Sequence, residues 1–521
     1  MPNFRRGSGR WFRTGLEIAL FSALILVVRC ANYRDVFVDG RIYFLDPDCY
    51  SRMTRVRMVA EHPGLIVRQH LFENFPDGIS PHTTAPLDYV IVLLAAGLKP
   101  WTAQPLDLAG AIVSPLLALG AGWFLWWWSH RVPWPGRYAM LLLYALSAII
   151  VHGTALGRPD QQALLIVMLL VALAAEARLQ ERPSRGWGIT SGAAWGLALW
   201  VSLYEPLILL LVLLFALALT APSQFGEPSR RLGWGILLGI VIFAALVERR
   251  LPEWPGSEPF FASWSGTIGE LRPVSLTNPA WLHWSGGLLL FAPLLLPWAL
   301  RRRLLSWAFV SLAAVCFLLT LWQARAGYFF ATVFLFTVPA QLELVRPRWL
   351  AAGAVAVVLL PLLFFWDRSF WPEETAARRM AERSALAQWR TVASSLGEGE
   401  EGAILAPWWL APATAYWSGQ PVVAGSSHES LPGIVASARF FLATVPEEAA
   451  EILRQRKVKW VLSDEGERVA TNSAAILGRP VPAGALGFKL ERTPSQVPFF
   501  LRFTGKNGSA VLYEVRDLPG K

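Results

Sequence analysis

A chain of 521 residues with 54% hydrophobic and 16% charged residues and a mean hydropathy of +0.41 is too apolar for a soluble enzyme of this size and belongs in a bilayer. The formal net charge of +10 invites a nucleic-acid reading, but the arginines gather at alternate ends of apolar runs, which membrane topology explains without any nucleic acid.

In chain order, apolar runs long enough to cross a bilayer, about 17–25 residues, predict spans near 13–30, 107–128, 137–153, 161–177, 188–203, 205–221, 232–247, 280–300, 303–322, 328–345 and 349–366, about eleven in all. If the N-terminus, with Arg5, Arg6, Arg10 and Arg13, starts inside, the short cytoplasmic loops carry Arg131 and Arg137, then Arg178, Arg182 and Arg185, then Arg230 and Arg231, then Arg301, Arg302 and Arg303, then Arg346 and Arg348. This is the positive-inside pattern. An odd number of spans then puts the tail after Trp366 outside. The first run lacks a small-residue cleavage site and reads as an uncleaved anchor.

Residues 86–98 are apolar, but about thirteen residues is too short to span. A crossing there would turn the later arginine-rich loops outward. The stretch is therefore expected to be an interfacial or re-entrant helix within a long first outer loop.

The expected organisation is a polytopic helical membrane domain, 1–366, interrupted by outer loops 31–106 and 248–279, followed by an extracytoplasmic α/β domain, 367–521. In the tail, Ala403–Ala406, Pro421–Ala424, Lys459–Ser463 and Ala510–Val515 read as strands and Pro446–Lys457 as an amphipathic helix. Cys30, Cys49 and Cys316 have neither metal-ligand nor disulfide-framework spacing, with a Cys30–Cys49 bridge left as an alternative.

Three acidic groups fall on the same expected outer face. Asp48, in Leu45-Asp46-Pro47-Asp48-Cys49-Tyr50, follows the first span. Asp160, in Gly157-Arg158-Pro159-Asp160, lies at the turn between spans three and four. Glu270, in Thr267-Ile268-Gly269-Glu270, lies in the loop after span seven. Taken singly, Asp160 reads more readily as a helix N-cap and Glu270 as a solvated loop glutamate. Together, their mutual repulsion is relieved by a divalent cation such as Mg²⁺ or Mn²⁺, which suits phosphate-bearing substrates. Arg325, in an outer turn against the positive-inside trend, is a candidate for a phosphate. Snorkelling to the outer headgroups is its alternative role.

At these residues the chain resembles the catalytic subunits of bacterial and archaeal oligosaccharyltransferases. The resemblance is carried by Asp46-Pro47-Asp48-Cys49-Tyr50 with Arg55, Asn74-Phe75-Pro76-Asp77-Gly78, Gly157-Arg158-Pro159-Asp160, Thr267-Ile268-Gly269-Glu270, Ala406-Pro407-Trp408-Trp409 and Gln420-Pro421-Val422-Val423-Ala424. It implies a GT-C membrane glycosyltransferase in the cell (inner) membrane, with a cytoplasmic N-terminus and an extracytoplasmic tail. Such an enzyme moves a glycan from a polyprenyl diphosphate to an asparagine of an acceptor polypeptide. By the same resemblance, Asp48, Asp160 and Glu270 hold Mn²⁺ or Mg²⁺, with Asp48 and Glu270 also catalytic. Arg325 meets the lipid diphosphate, and Trp408 and Trp409 meet the acceptor.

Three departures stand beside it. Leu410 replaces the aspartate that follows the two tryptophans in the family, and leucine cannot accept a sequon hydroxyl. Gln161 and Gln162 stand where many relatives have histidine or an acid. About eleven spans is fewer than the thirteen usual in the family. The missing tail acid keeps open a GT-C enzyme that uses a polyprenyl monophosphate sugar to modify a lipid or a Ser/Thr hydroxyl. A transporter or flippase is the remaining alternative, although its expected mid-membrane charges are not evident in nearly charge-free spans.

Overall fold

The computed structural model describes residues 5–250, 258–371, 375–398 and 402–519; part of the second expected outer loop, 251–257, lies outside them. The chain forms two compact units, one of 1–33, 111–247 and 272–373 and one of 34–110, 248–271 and 374–521. The two outer loops therefore group chiefly with the tail.

The first unit is helical. Every predicted span coincides with helix, and among the described residues five helices are long and apolar enough to cross a membrane: Trp11–Arg29, Pro105–Arg131, Gln161–Glu181, Pro228–Glu248 and Trp349–Phe370. Two spans are broken. The run 137–153 divides into Gly136–Leu146 and Ala148–Gly153. At the break, Ser147 donates its hydroxyl to the Trp284 carbonyl at 2.6 Å. The run 280–300 divides around Gly286, whose φ of +73° favours glycine. A Cβ on Gly286 would lie 2.4 Å from the Val358 carbonyl oxygen.

Arg185–Val201 and Pro228–Glu248 approach closely through small residues. A Cβ on Gly188 would sit 2.0 Å from the Ser229 carbonyl oxygen, and one on Gly192 2.1 Å from that of Gly233. Such small-residue spacing lets apolar helices pack backbone to backbone. Beside this seam Glu176, fully buried, pairs with Arg230 at 2.7 Å and accepts the Ser191 hydroxyl at 2.5 Å. A charge in so apolar a place persists when it is paired and hydrogen-bonded.

The second unit is built on a sheet of β3 (Ala403–Leu405), β4 (Val458–Ser463), β6 (Ala510–Val515) and β5 (Leu501–Asn507), in that order. The first pair is parallel and the other two are antiparallel. A two-strand ribbon, β1 (Phe37–Val38) and β2 (Arg41–Ile42), precedes them in the chain. Helices Leu431–Leu442, Pro446–Gln455 and Gly466–Leu477 supply apolar faces to the tail's cores. Three predicted strands and the predicted helix are present. Residues 421–424 contribute only a bridge, Ile404 to Val422, and β5 is an additional strand.

Residues 86–98 form the helix Ala85–Leu98. Its Asp88 is buried between Arg52 at 2.7 Å and Arg55 at 3.7 Å, both from the helix Pro47–Glu61. Burial lowers the Arg55 pKa to about 10, with Asp88 opposing the shift. Among the described residues, none of Cys30, Cys49 and Cys316 forms a disulfide.

Candidate active site

In the first unit, Asp160 stands at the N-cap position of Gln161–Glu181, yet its side chain makes no cap hydrogen bond. It is 6% exposed and faces Arg158 at 3.6 Å. Its backbone is held by a turn that needs Gly157 at φ +75°. The Gly157 N–H donates to the Ala111 carbonyl at 2.8 Å, the Leu156 N–H to the Arg29 carbonyl at 2.9 Å, and the Ser114 hydroxyl to the Arg158 carbonyl. Arg158 also lies 3.1 Å from His152 Nε2, and His152 Nδ1 lies 2.6 Å from the Tyr328 hydroxyl.

Arg325 belongs to the same unit, in the turn Ala324–Ala326. Its guanidinium pairs with Glu205 at 3.3 Å, and the Ser202 hydroxyl donates to Glu205 at 2.5 Å. A carboxylate partner gives an arginine on this turn a reason to stay other than snorkelling. With its amide oriented to satisfy both ends, Gln162 donates to the Asp160 carboxylate and accepts from Arg325 Nη2 at 3.1 Å. Asp160, Gln162, Arg325 and Glu205 thus form one polar chain. Gln162 and Glu205 were not among the predicted site residues; the departure from the usual histidine or acid was the available sequence signal for Gln162.

Asp48 and Glu270 belong to the second unit. Asp46 caps the helix Pro47–Glu61, accepting from the Cys49 N–H at 2.9 Å, while the exposed Asp48 occupies its first turn. Glu270 is half-buried in the turn Gly269–Leu271. The segment before it is anchored by the Thr267 hydroxyl, which donates to the Trp264 carbonyl at 2.7 Å. Buried Trp264 meets the Trp408 ring edge-on at 5.9 Å, and Ile268 packs against the same apolar cluster.

Trp408 and Trp409 are both half-buried. The Trp408 Nε1–H donates to Asn472 at 2.8 Å, and the Arg468 guanidinium lies over the Trp409 ring at 5.1 Å. Leu410 packs into the cluster that includes Trp264. Both tryptophans therefore contribute to packing within the tail.

Beneath the Pro47–Glu61 helix, Glu73 is buried and accepts the Ser426 N–H at 3.3 Å. Burial raises its pKa, with the Ser51 hydroxyl and Arg55 opposing the shift. A Cβ on Gly425 would lie 2.1 Å from this carboxylate, so the glycine makes room for it.

No protein-family model matches the sequence, and no curated protein matches it by sequence. Solved structures do match in fold. Archaeal oligosaccharyltransferase AglB from Archaeoglobus fulgidus, in complex with an inhibitory peptide and a dolichol-phosphate, aligns with a TM-score of 0.68 at 16% identity, over 98% of this chain and 75% of that one. The Archaeoglobus fulgidus oligosaccharyltransferase in complex with zinc and sulfate aligns with a TM-score of 0.66 at 15% identity, over 96% and 73% of the chains. ArnT from Cupriavidus metallidurans bound to undecaprenyl phosphate aligns with a TM-score of 0.57 at 15% identity, over 97% and 99%. The fold is that of the GT-C membrane glycosyltransferases.

Proposed function

We propose that this protein is an oligosaccharyltransferase-like enzyme that moves a glycan from a polyprenyl diphosphate carrier to a protein asparagine on the outer membrane face. The observation that carries this reading is the fold similarity to AglB over 98% of the chain. Fold alone does not establish chemistry; the motif residues Asp48, Asp160, Glu270 and Arg325 supply the chemical argument. The N-terminus is cytoplasmic and residues 367–521 are extracytoplasmic, with 1–366 forming the membrane domain and 31–106 and 248–279 its outer loops.

Asp48, Asp160 and Glu270 would hold a divalent cation. A set of carboxylate oxygens fits Mg²⁺ or Mn²⁺, and an Asp160 side chain that does not cap its own helix is consistent with such a role. When bound, the ion supplies positive charge opposite the departing phosphate. Arg325 is proposed to orient and neutralise the diphosphate, held from the other side by Glu205. Asp48 and Glu270 orient the weak amide nucleophile, and Trp408 and Trp409 line the approach of the acceptor peptide.

A second reading, transfer of one sugar from a polyprenyl monophosphate to a lipid or a hydroxyl, is favoured by Leu410 and by the alignment with 99% of the ArnT chain. A transporter or flippase draws no support from the fold comparisons.

The deciding experiment supplies purified protein with lipid-linked glycan, a fluorescent Asn-X-Ser/Thr peptide and Mn²⁺, beside Asp48→Asn and Glu270→Gln. Metal-dependent glycopeptide, lost in both variants, is expected. Donor consumption without glycopeptide would move the acceptor to a lipid or a hydroxyl.

A further inference from the structure

Within the second unit, two segments far apart in sequence bring three metal-binding side chains together. His82 follows Pro81 in the first loop, while His428 and Glu429 begin the turn His428–Ser430. The Glu429 side chain is 5% exposed. Its Oε1 accepts the His82 backbone N–H at 2.6 Å and lies 2.8 Å from His82 Nδ1. Its Oε2 lies 3.5 Å from His428 Nδ1. The imidazole centroids are 5.3 Å apart, and one ligand atom from each of the three residues falls within 4.8 Å of the others.

The loop bearing His82 is braced on both sides. Arg250 donates to the Pro81 carbonyl and, at 2.6 Å, to the Thr83 carbonyl. The same guanidinium pairs with Glu248 at 3.0 Å, and Glu248 accepts the Ala85 N–H at 3.0 Å. His82 is thus carried on a braced backbone, as a metal ligand requires.

We propose that His82, His428 and Glu429 bind a single divalent cation of the zinc class, clamping the 79–84 segment to the 425–430 turn. Two imidazole nitrogens and one carboxylate oxygen are a borderline donor set that suits Zn²⁺ and disfavours Mg²⁺ or Ca²⁺. Around a tetrahedral zinc with bonds of roughly 2.0–2.1 Å, ligand atoms stand about 3.3 Å apart. The present separations, 2.8 Å between Glu429 Oε1 and His82 Nδ1 and no more than 4.8 Å across the set, bracket that spacing. The fourth position goes to water, on the side where His82 is 31% exposed. The buried Glu429 carboxylate faces both imidazoles, so one oxygen and two ring nitrogens are presented together to an arriving cation. The ligand set shares no residue with Asp48, Asp160 or Glu270, and the inference does not rest on the proposed activity.

The test uses the full chain in detergent, carrying Asp48→Asn and Glu270→Gln so that zinc at those carboxylates does not enter the count. Zinc retained after gel filtration is measured by elemental analysis, and Co²⁺ binding by its visible ligand-field absorption. About one zinc per chain and a tetrahedral cobalt spectrum are expected. Adding His428→Ala should lower zinc retention at least tenfold and abolish the spectrum. If that variant does not fold, His82→Gln, a change at a partly exposed side chain, should have the same effect. No bound zinc in the parent, or unchanged retention in a folded histidine variant, overturns the site and leaves His82–Glu429 as an ion pair.

Discussion

Asp160 and Arg325, 165 positions apart in sequence, are joined through a single side chain, the amide of Gln162. An amide in that place donates to the carboxylate and accepts from the guanidinium at once, so each charge orients the other. Replacing Gln162 with leucine leaves Asp160 facing Arg158 and breaks the link to Arg325. Transfer activity is expected to fall about 10–100-fold, the usual effect of losing a partner that orients a ligand, while Gln162→His retains a larger share. Steady-state glycan transfer by the two variants is the check.

Arg325 has a structural partner, Glu205, besides its proposed phosphate. The two roles separate in a double-mutant cycle. Arg325→Ala is expected to lower both stability and activity, because it leaves Glu205 half-buried without its cation. Adding Glu205→Gln should restore much of the melting temperature without restoring transfer. Recovery of activity in the double variant would remove Arg325 from the chemistry.

The Glu176–Arg230 pair predicts an effect on stability alone. Glu176→Leu strands the Arg230 guanidinium among apolar helices and is expected to destabilise by about 3–5 kcal/mol. Combining it with Arg230→Met should recover most of that loss, because a matched apolar pair avoids the desolvation of both charges. Thermal unfolding in detergent, followed by tryptophan fluorescence, distinguishes these outcomes.

His70 predicts a pH dependence. Burial, reinforced by the charge of Arg55, lowers its pKa from 6.5 to about 3, and neither ring nitrogen has a hydrogen-bond partner among the described residues. The folded state therefore holds the neutral ring. Its contribution to stability is complete above pH 6.5 and is lost as pH falls towards 3, by about 2 kcal/mol at pH 5. His70→Phe should flatten this part of the profile, which melting temperatures between pH 7 and pH 5 would reveal.

Much of the helical architecture was legible because a bilayer imposes length and apolarity on every crossing, and each predicted run from 13–30 to 349–366 coincides with helix. The breaks at Ser147 and Gly286 were not legible, since they depend on carbonyls supplied by distant helices. Strand β5 was missed for a related reason: much of its surface is exposed, and an irregularity between Phe503 and Gly505 interrupts its register. Motif order singled out Asp160, and its place against the positive-inside trend singled out Arg325, but their link through Gln162 is a property of packing. Likewise no spacing rule joins His82 to a histidine 346 positions later.

The anchoring of the Glu270 turn bears on how this chain can be re-engineered. Trp264 reaches from the second outer loop into the cluster around Trp408, so the loop and the tail are one folding module encoded in two pieces. A chimera that exchanges only residues after 375 would leave Trp264 facing a foreign surface and release the turn that carries Glu270. Grafting a new tail requires moving the 258–271 segment with it, and a library shuffled at one crossover will be depleted of working members for that reason.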